Sequence, residues 1–151
     1  MADTLKLDDF LPYRLSIASN RVSGAIATAY EALFGLRIPE WRLVAVLAEG
    51  GELTQRAIGH VTQMDKVTVS RAAIALVDRG LAARSPNKDD QRSHHLSLTA
   101  SGKRLYEEVA PMAVAIDHQI FAGFSPDELV TLRGMLVRLE KSAAALETDQ
   151  G

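Results

Sequence analysis

The residues best equipped for chemistry in this chain lie in two short segments, 65–71 and 87–93. The first reads Asp-Lys-Val-Thr-Val-Ser-Arg, and the second contains Lys88 and Arg92. Cationic and hydroxyl side chains of this kind bind phosphate oxygens and the edges of bases. The two segments therefore predict a surface that grips a DNA duplex rather than a catalytic centre.

Residues 65–79 separate into two rows at helical spacing. The row containing Val69 and Leu76 is apolar throughout and is expected to face a core. The neighbouring row mixes charged, hydroxyl and methyl groups, as a base-reading face requires. Its members are Lys66, Val67, Ser70, Arg71 and Ile74.

Side chains within this helix have different predicted partners. Arg71 can donate two hydrogen bonds to guanine, although a solvated surface arginine is the alternative. Lys66 and Thr68 lie near the positive end of the helix dipole, which favours phosphate. For Val67 and Ile74, packing in a core and contact with the groove both remain open.

The loop at 87–93 predicts a second contact. An arginine at its tip, Arg92, can enter a narrow minor groove, where negative potential is concentrated. Asp90 is expected to hold the Arg92 guanidinium through a bidentate pair. Lys88 and Arg84 add positive charge nearby, and a solvated charged hairpin is the alternative interpretation.

The elements that must position these side chains can be read from capping and turn residues. Thr54 and Asp65 are good N-caps for two helices joined by a tight turn, and Gly80 ends the second helix. Short β-prone runs at 81–85 and 94–98 predict a hairpin. The expected fold class is mainly α with a small β-hairpin wing, a winged helix-turn-helix.

Long helices flank this lobe, which we place at residues 39–99. Residues 9–34 and 100–147 carry apolar stripes that a lobe of this size cannot cover. We therefore expect these segments to be dimerisation helices of a homodimer, which suits inverted half-sites on DNA. A six-helix monomer with an ordinary core is the alternative.

Charge is distributed unevenly along the chain. Residues 54–104 contain nine Lys or Arg and four Asp, a surplus of five positive charges. Since the whole chain carries −2, the remainder carries −7. A segregated field of this kind attracts phosphate to one face despite the negative total.

Composition argues against several other classes. There is no cysteine and no apolar run long enough to span a membrane, so we expect a cytoplasmic protein without a membrane partner. No glycine-rich phosphate loop or nucleophile elbow occurs, and we expect neither enzymatic activity nor a cofactor. Adjacent His94 and His95 on a strand point to opposite faces, so with His60 and His118 they do not predict a metal site.

An ordered set of motifs resembles the MarR family of bacterial transcriptional regulators. It comprises Pro39-Glu-Trp-Arg42, the 65–71 run, Asp78-Arg-Gly-Leu81 with Arg84, Asp90-Gln-Arg92 and Leu98-Thr99-x-x-Gly102. The resemblance covers nearly the whole chain, and we interpret residues 1–151 as a single domain of this type.

The resemblance implies a winged-helix homodimer that binds palindromic operator DNA, usually as a repressor. It also implies that Ser70 and Arg71 read the major groove and that Asp90 and Arg92 form the acid-x-arginine pair of the wing. Ala75 stands where some relatives have a basic residue, which leaves the base preference open. The predicted DNA-contacting residues are Thr54, Lys66, Thr68, Ser70, Arg71, Arg84, Lys88, Asp90 and Arg92.

The proteins that this chain resembles often release DNA when a small aromatic or phenolic acid binds between the lobe and the dimer helices. Candidates for such a cleft are Tyr13, Arg14, Arg21, Trp41 and Arg42. Core packing of Trp41 and salt bridges of the arginines are the alternatives. A winged helix that only docks other proteins is the alternative function, and it would bind with little dependence on salt.

Overall fold

The structure, a computed structural model, describes residues 4–90 and 92–148. The chain forms two compact units, Met1–Val114 and Ala115–Gly151. A short 3₁₀ helix, Leu7–Asp9, precedes the first long helix. The helices are α1 (Leu11–Phe34), α2 (Ile38–Gly50), α3 (Gln55–Thr62), α4 (Lys66–Asp78), α5 (Ala100–Ile120) and α6 (Pro126–Thr148).

The sheet contains one strand more than the sequence predicts. Strands β2 (Ala82–Pro86) and β3 (His94–Leu98) form the expected antiparallel hairpin. A two-residue strand β1, Leu53–Thr54, adds to the free edge of β3 and gives the order β1-β3-β2. So short a strand has no periodicity to detect, and it exists only because β3 supplies its hydrogen-bond partners. The predicted class, mainly α with a small wing, is confirmed.

The end of α1 is fixed by a glycine and by an arginine from α4's C-terminal end. Gly35 follows α1 with a φ of 62°, in the left-handed region where glycine carries no steric penalty. The carbonyls left free at that end are bound by Arg79, whose guanidinium donates to Phe34 O at 3.2 Å and Gly35 O at 3.1 Å. Arg79 therefore joins the end of α4 to the end of α1.

The core of the first unit lies where α2, α3, α4 and the sheet meet. The apolar row predicted on α4, which includes Val69 and Leu76, is buried there as expected. Gly102 lies at the start of α5, where a β-carbon would overlap the carbonyl oxygen of Leu81. The largest fully buried side chains are Leu36, Leu43, Val44, Ile58, Val69, Leu76, Leu96 and Val109.

The second unit is organised by a capping box. Ser125 accepts from the Glu128 amide at 3.1 Å, and the Glu128 carboxylate accepts from the Ser125 amide at 2.9 Å. The predicted start of the last helix is confirmed, yet no residue of α6 is buried. Within the described ranges, none of the helices combines the length and the apolar character needed to cross a membrane.

The interpretation of 1–151 as one domain, and of 39–99 as a lobe flanked by dimerisation helices at 9–34 and 100–147, stays a prediction. Residues 1–3, 91 and 149–151 lie outside the described residues.

Candidate nucleic-acid interface

Side-chain caps fix the two helices of the helix-turn-helix. The Thr54 hydroxyl accepts from the Ala57 amide at 3.1 Å, and the Asp65 carboxylate accepts from the Thr68 amide at 2.7 Å. Both residues are the N-caps that the sequence predicts. Gln63, with a φ of 58°, makes the turn between the helices. The caps therefore set where α4 begins and which of its faces turns outward.

The cap of α4 also engages Thr68. The Thr68 hydroxyl donates to the second carboxylate oxygen of Asp65 at 2.8 Å. The hydrogen bond from the Thr68 backbone amide is the largest cause that lowers the pKa of Asp65 below its ordinary value of 3.8, and the bond from this hydroxyl is the next largest. Because a phosphate oxygen only accepts hydrogen bonds, the predicted phosphate contact of Thr68 requires its hydroxyl to turn its proton away from Asp65.

The exposed face of α4 agrees with the row predicted from the sequence. Lys66 and Arg71 are exposed and Ser70 is half-buried. Val67 and Ile74 are 58% and 48% exposed, so the alternative that they pack in the core is wrong.

Hydrogen bonds within the wing loop hold its shape. The Asn87 side chain accepts from the Asp89 amide at 3.1 Å and donates to the Ser93 hydroxyl at 2.9 Å. Asp90 accepts from the Arg92 backbone amide at 3.0 Å. The loop is therefore a pair of side-chain-stabilised turns. Gln91, between these residues, lies outside the described part of the chain.

Asp90 differs from its predicted role as the partner of the Arg92 guanidinium. Its carboxylate binds the Arg92 backbone amide instead. The reason is local geometry, because an aspartate in a turn reaches the amide two residues ahead more easily than a side chain that points outward. Asp90 shapes the loop that carries Arg92, and the Arg92 side chain is exposed.

A groove of about 670 Å³ lies between α4 and the wing. Among the described residues its lining includes four cations, Arg56, Lys66, Arg84 and Arg92, and one carboxylate, Asp90. Four cations and one carboxylate give the groove lining a net charge of +3, which is part of the surplus of five positive charges predicted for residues 54–104. Of the predicted DNA-contacting residues, the groove brings together Thr54, Lys66, Ser70, Arg84, Asp90 and Arg92.

The other three predicted contacts lie elsewhere in the first unit. Thr68 and Arg71 line a cavity of about 480 Å³ on the α2 side of α4, together with Arg37 and Glu40. Lys88 is exposed near the tip of the wing. Arg71 and Arg92 therefore occupy different sides of α4, one beside α2 and the other beside the wing.

Five polar residues that line the groove were not predicted from the sequence as DNA contacts. Gln55 and Arg56 follow the Thr54 cap directly, and His94 begins β3. The detectable signal was their position next to predicted contacts, but their orientation depends on how β1 pairs with β3. The missed residues are Gln55, Arg56, Asn87, Ser93 and His94.

Trp41, a predicted ligand contact, belongs to an aromatic cluster in the first unit. Its ring centroid lies 5.4 Å from that of Tyr30 and 5.9 Å from that of Tyr106, which is stacked at 14°. Tyr30 is buried, and this burial raises the pKa of its phenol. Trp41 itself is half-buried, so it has both packing contacts and accessible surface.

The other ligand candidates lie in exposed or partly exposed positions. Tyr13 and Arg14 belong to the first turn of α1, and Arg42 to the first turns of α2. Tyr13 is half-buried, whereas Arg14, Arg21 and Arg42 are exposed. In residues 4–90 and 92–148, no three His, Asp or Glu side chains come together so as to hold a metal ion.

Comparison with known proteins identifies several relatives. A family model described as MarR family matches residues 34–93. The crystal structure of a MarR family transcriptional regulator from Silicibacter pomeroyi is 34% identical, with 91% of each chain covered and a TM-score of 0.78. The transcriptional regulator FarR of Neisseria gonorrhoeae is 27% identical over 109 residues, which cover 72% of this chain and 75% of FarR.

A further solved structure concerns regulation by a ligand. It shows BpsR of Bordetella bronchiseptica, whose DNA binding is regulated by 6-hydroxynicotinic acid. BpsR is 25% identical, with 86% of this chain and 98% of BpsR covered and a TM-score of 0.79.

Proposed function

Because the chain belongs to the MarR family of transcriptional regulators, we propose that it binds palindromic operator DNA as a homodimer and represses transcription. The family membership makes transcriptional regulation the function, and we expect no enzymatic activity. Repression, the palindrome and the dimer are the finer parts of this proposal.

The observation that carries DNA binding is the cationic groove between α4 and the wing. Lys66 and Ser70 line this groove from the N-terminal half of α4, together with Arg56, Arg84 and Arg92 from other elements. In helix-turn-helix proteins the first residues of the second helix contact base edges while flanking elements bind the backbone. On this basis Ser70 reads bases, and Lys66, Arg84 and Arg92 bind phosphate or the minor groove. Outside the groove, we assign base reading to Arg71, on the α2 side of α4, and phosphate binding to Lys88 in the wing loop.

The apolar surface of α6 supports the homodimer. Met135, Leu139 and Leu146 are 57%, 46% and 67% exposed. No residue of α6 is buried, and a helix with an apolar face gains stability when another surface covers that face. A second copy of the chain would cover this surface and supply a second α4 for the other half-site.

The aromatic cluster around Trp41 supports release by a small aromatic or phenolic acid. Such a ligand could stack on the accessible edge of Trp41 while Arg14 or Arg42 binds its carboxylate. BpsR, whose DNA binding responds to 6-hydroxynicotinic acid, provides a related example. We propose the same class of effector for this chain, with Tyr13, Arg14, Trp41 and Arg42 as contacts.

The test of DNA binding begins with selection of DNA from a random pool by the full chain. We expect an inverted repeat, and an affinity that falls steeply with salt because several phosphates are contacted. Arg71→Ala should weaken binding by about 1–3 kcal/mol and relax one position of the site. Arg92→Ala should reduce affinity for the selected site and for random DNA by different amounts.

The matched control is Arg138→Ala, which removes an exposed arginine from α6. It should leave the salt slope unchanged. Equal binding by wild type, Arg71→Ala and Arg92→Ala, with fold and dimer intact, would contradict the proposal. Binding of a protein partner with little dependence on salt would instead favour the docking-module alternative.

The effector is tested through Trp41, the only tryptophan in the chain. Titration with 6-hydroxynicotinic acid and a panel of phenolic acids should quench its fluorescence and release the selected DNA. Arg42→Ala should weaken both responses in parallel if this arginine binds the carboxylate. No heat in calorimetry and no effect on DNA binding across the panel would remove the effector from the proposal.

A further inference from the structure

Two branched apolar side chains lie on the part of α4 that faces away from the core. Val67 is 58% exposed and Ile74 is 48% exposed, whereas Val69, Ala73 and Leu76 are buried. Each residue turns an α-helix by about 100°, so seven residues bring Ile74 to within about 20° of Val67. The two side chains form one apolar row, here called the Val67–Ile74 stripe.

Polar residues border this stripe on both sides. Lys66 and Ser70 line the groove beside the wing, where Ile74 also contributes to the wall. Thr68 and Arg71 line the cavity beside α2. A duplex that accepts α4 would therefore meet charged and hydroxyl groups at the edges of the helix and the stripe at its centre.

A single exposed apolar residue is ordinary on a protein surface. The position of this pair makes it informative, because it occupies the centre of the face that the proposed function inserts into the major groove. Valine and isoleucine cannot hydrogen-bond a base edge or a phosphate. The apolar group that base edges present in the major groove is the thymine C5-methyl.

We infer that Val67 and Ile74 determine specificity by contacting thymine methyl groups. This inference rests on the proposed function, since it assumes that α4 enters the major groove. The two side chains are separated by about 10.5 Å along the helix axis. Each half-site should therefore contain two contacted thymines, at two different base-pair positions.

The test replaces each thymine of the selected operator, one position at a time, with deoxyuridine. This change removes the C5-methyl and leaves base pairing intact. In each half-site we expect two positions where the replacement weakens binding about fourfold. That factor is equivalent to the roughly 0.8 kcal/mol for burial of one methyl-sized group.

Protein variants identify which side chain meets which methyl group. Val67→Ala should abolish the effect of deoxyuridine at one position and leave the other unchanged, and Ile74→Ala should do the reverse. Alanine is the best helix former, so both variants should fold. Val61→Ala, which shortens a 64%-exposed valine in α3, is the matched control and should retain both effects.

The outcomes separate this inference from the proposed function. If the wild type selects DNA in a salt-dependent manner but no thymine position responds to deoxyuridine, the stripe inference fails and DNA binding stands. Responses that persist in both alanine variants would also overturn it. If no DNA is selected, and the two variants instead weaken binding to a protein, the stripe is a docking surface and both proposals fail.

Discussion

The two units of this chain bury their apolar residues to very different degrees. In the first unit, Leu43, Ile58 and Leu76 are completely shielded between helices and sheet. In the second, α6 carries apolar residues at the same helical spacing, yet none is buried, and Leu139 and Leu146 are 46% and 67% exposed. Similar patterns therefore have different outcomes within one chain.

The difference shows that an amphipathic stripe indicates a buried face but does not identify what covers it. In the first unit, elements close in sequence fold back on one another and supply that cover. In the second, the segment that precedes α6 supplies local contacts, such as the edge-on pair of Phe121 and Phe124, whose ring centroids are 5.8 Å apart. We expect a second copy of the chain to cover the apolar face of α6.

The largest effect is expected from charge placed on the α6 stripe, the apolar row that comprises Leu129, Leu132, Met135, Leu136, Leu139, Ala143 and Leu146. Leu136→Glu combined with Leu139→Glu would bury carboxylates without partners in a dimer, at a cost of several kcal/mol. We expect the dimer dissociation constant to rise more than about a hundredfold, measured by sedimentation equilibrium, together with loss of operator binding.

Lys141→Glu is the control for that prediction, because about 100° per residue places Lys141 on the opposite side of α6 from the stripe. It should leave the dimer intact. A double-glutamate variant that still sediments as a dimer at low concentration would show that the α6 stripe has another role.

An intermediate effect is expected from one added methyl group in each unit. At Gly102 a β-carbon would overlap the Leu81 carbonyl oxygen, so Gly102→Ala should lower the free energy of unfolding by about 1–3 kcal/mol. At Gly134, in α6, a β-carbon meets nothing within 4 Å. Gly134→Ala should therefore stabilise the protein by about 0.5–1 kcal/mol, since alanine favours a helix.

Urea unfolding of both glycine variants measures this pair of opposite effects. The same sign for both substitutions would contradict the contrast between a packed first unit and an open α6.

The smallest effect concerns pH and the cap of α4. Since Thr68 holds the folded-state pKa of Asp65 below 3.8, the carboxylate stabilises α4 fully above that value. The contribution disappears as the pH falls through the lower folded-state pKa. Asp65→Asn keeps a capping oxygen without this titration.

Thermal unfolding between pH 6 and pH 2.5 tests the cap. Near pH 6 the wild type should have a higher melting temperature than Asp65→Asn, and this difference should shrink as the solution becomes acidic. A difference that stays constant with pH would show that the carboxylate contributes nothing through ionisation.

Local features of this protein were predictable from its sequence. Thr54, Asp65 and Ser125 cap helices as expected, because a cap requires only a side chain and an amide two or three residues away. The buried row of α4 and the wing hairpin followed from periodicity and turn residues in the same way. Membership of the MarR family followed from the order of such motifs.

Non-local features required the tertiary structure. The β2–β3 register places Arg84 opposite Leu96, and β1 then pairs Leu53 with the same residue. These pairings bring Arg56, Arg84 and Lys66, from three different elements, into one groove. They join residues far apart in the chain, and which of those residues meet depends on the closure of the whole lobe.

The sequence by itself determined which residues carry charge, which begin helices and which rows are apolar, because those properties depend on neighbours a few residues away. Only the tertiary structure decided that Trp41 stacks on Tyr106 and that Val67 and Ile74 remain uncovered. The physical reason is that a side chain's partner depends on how distant segments pack, whereas its chemical type is fixed by the sequence.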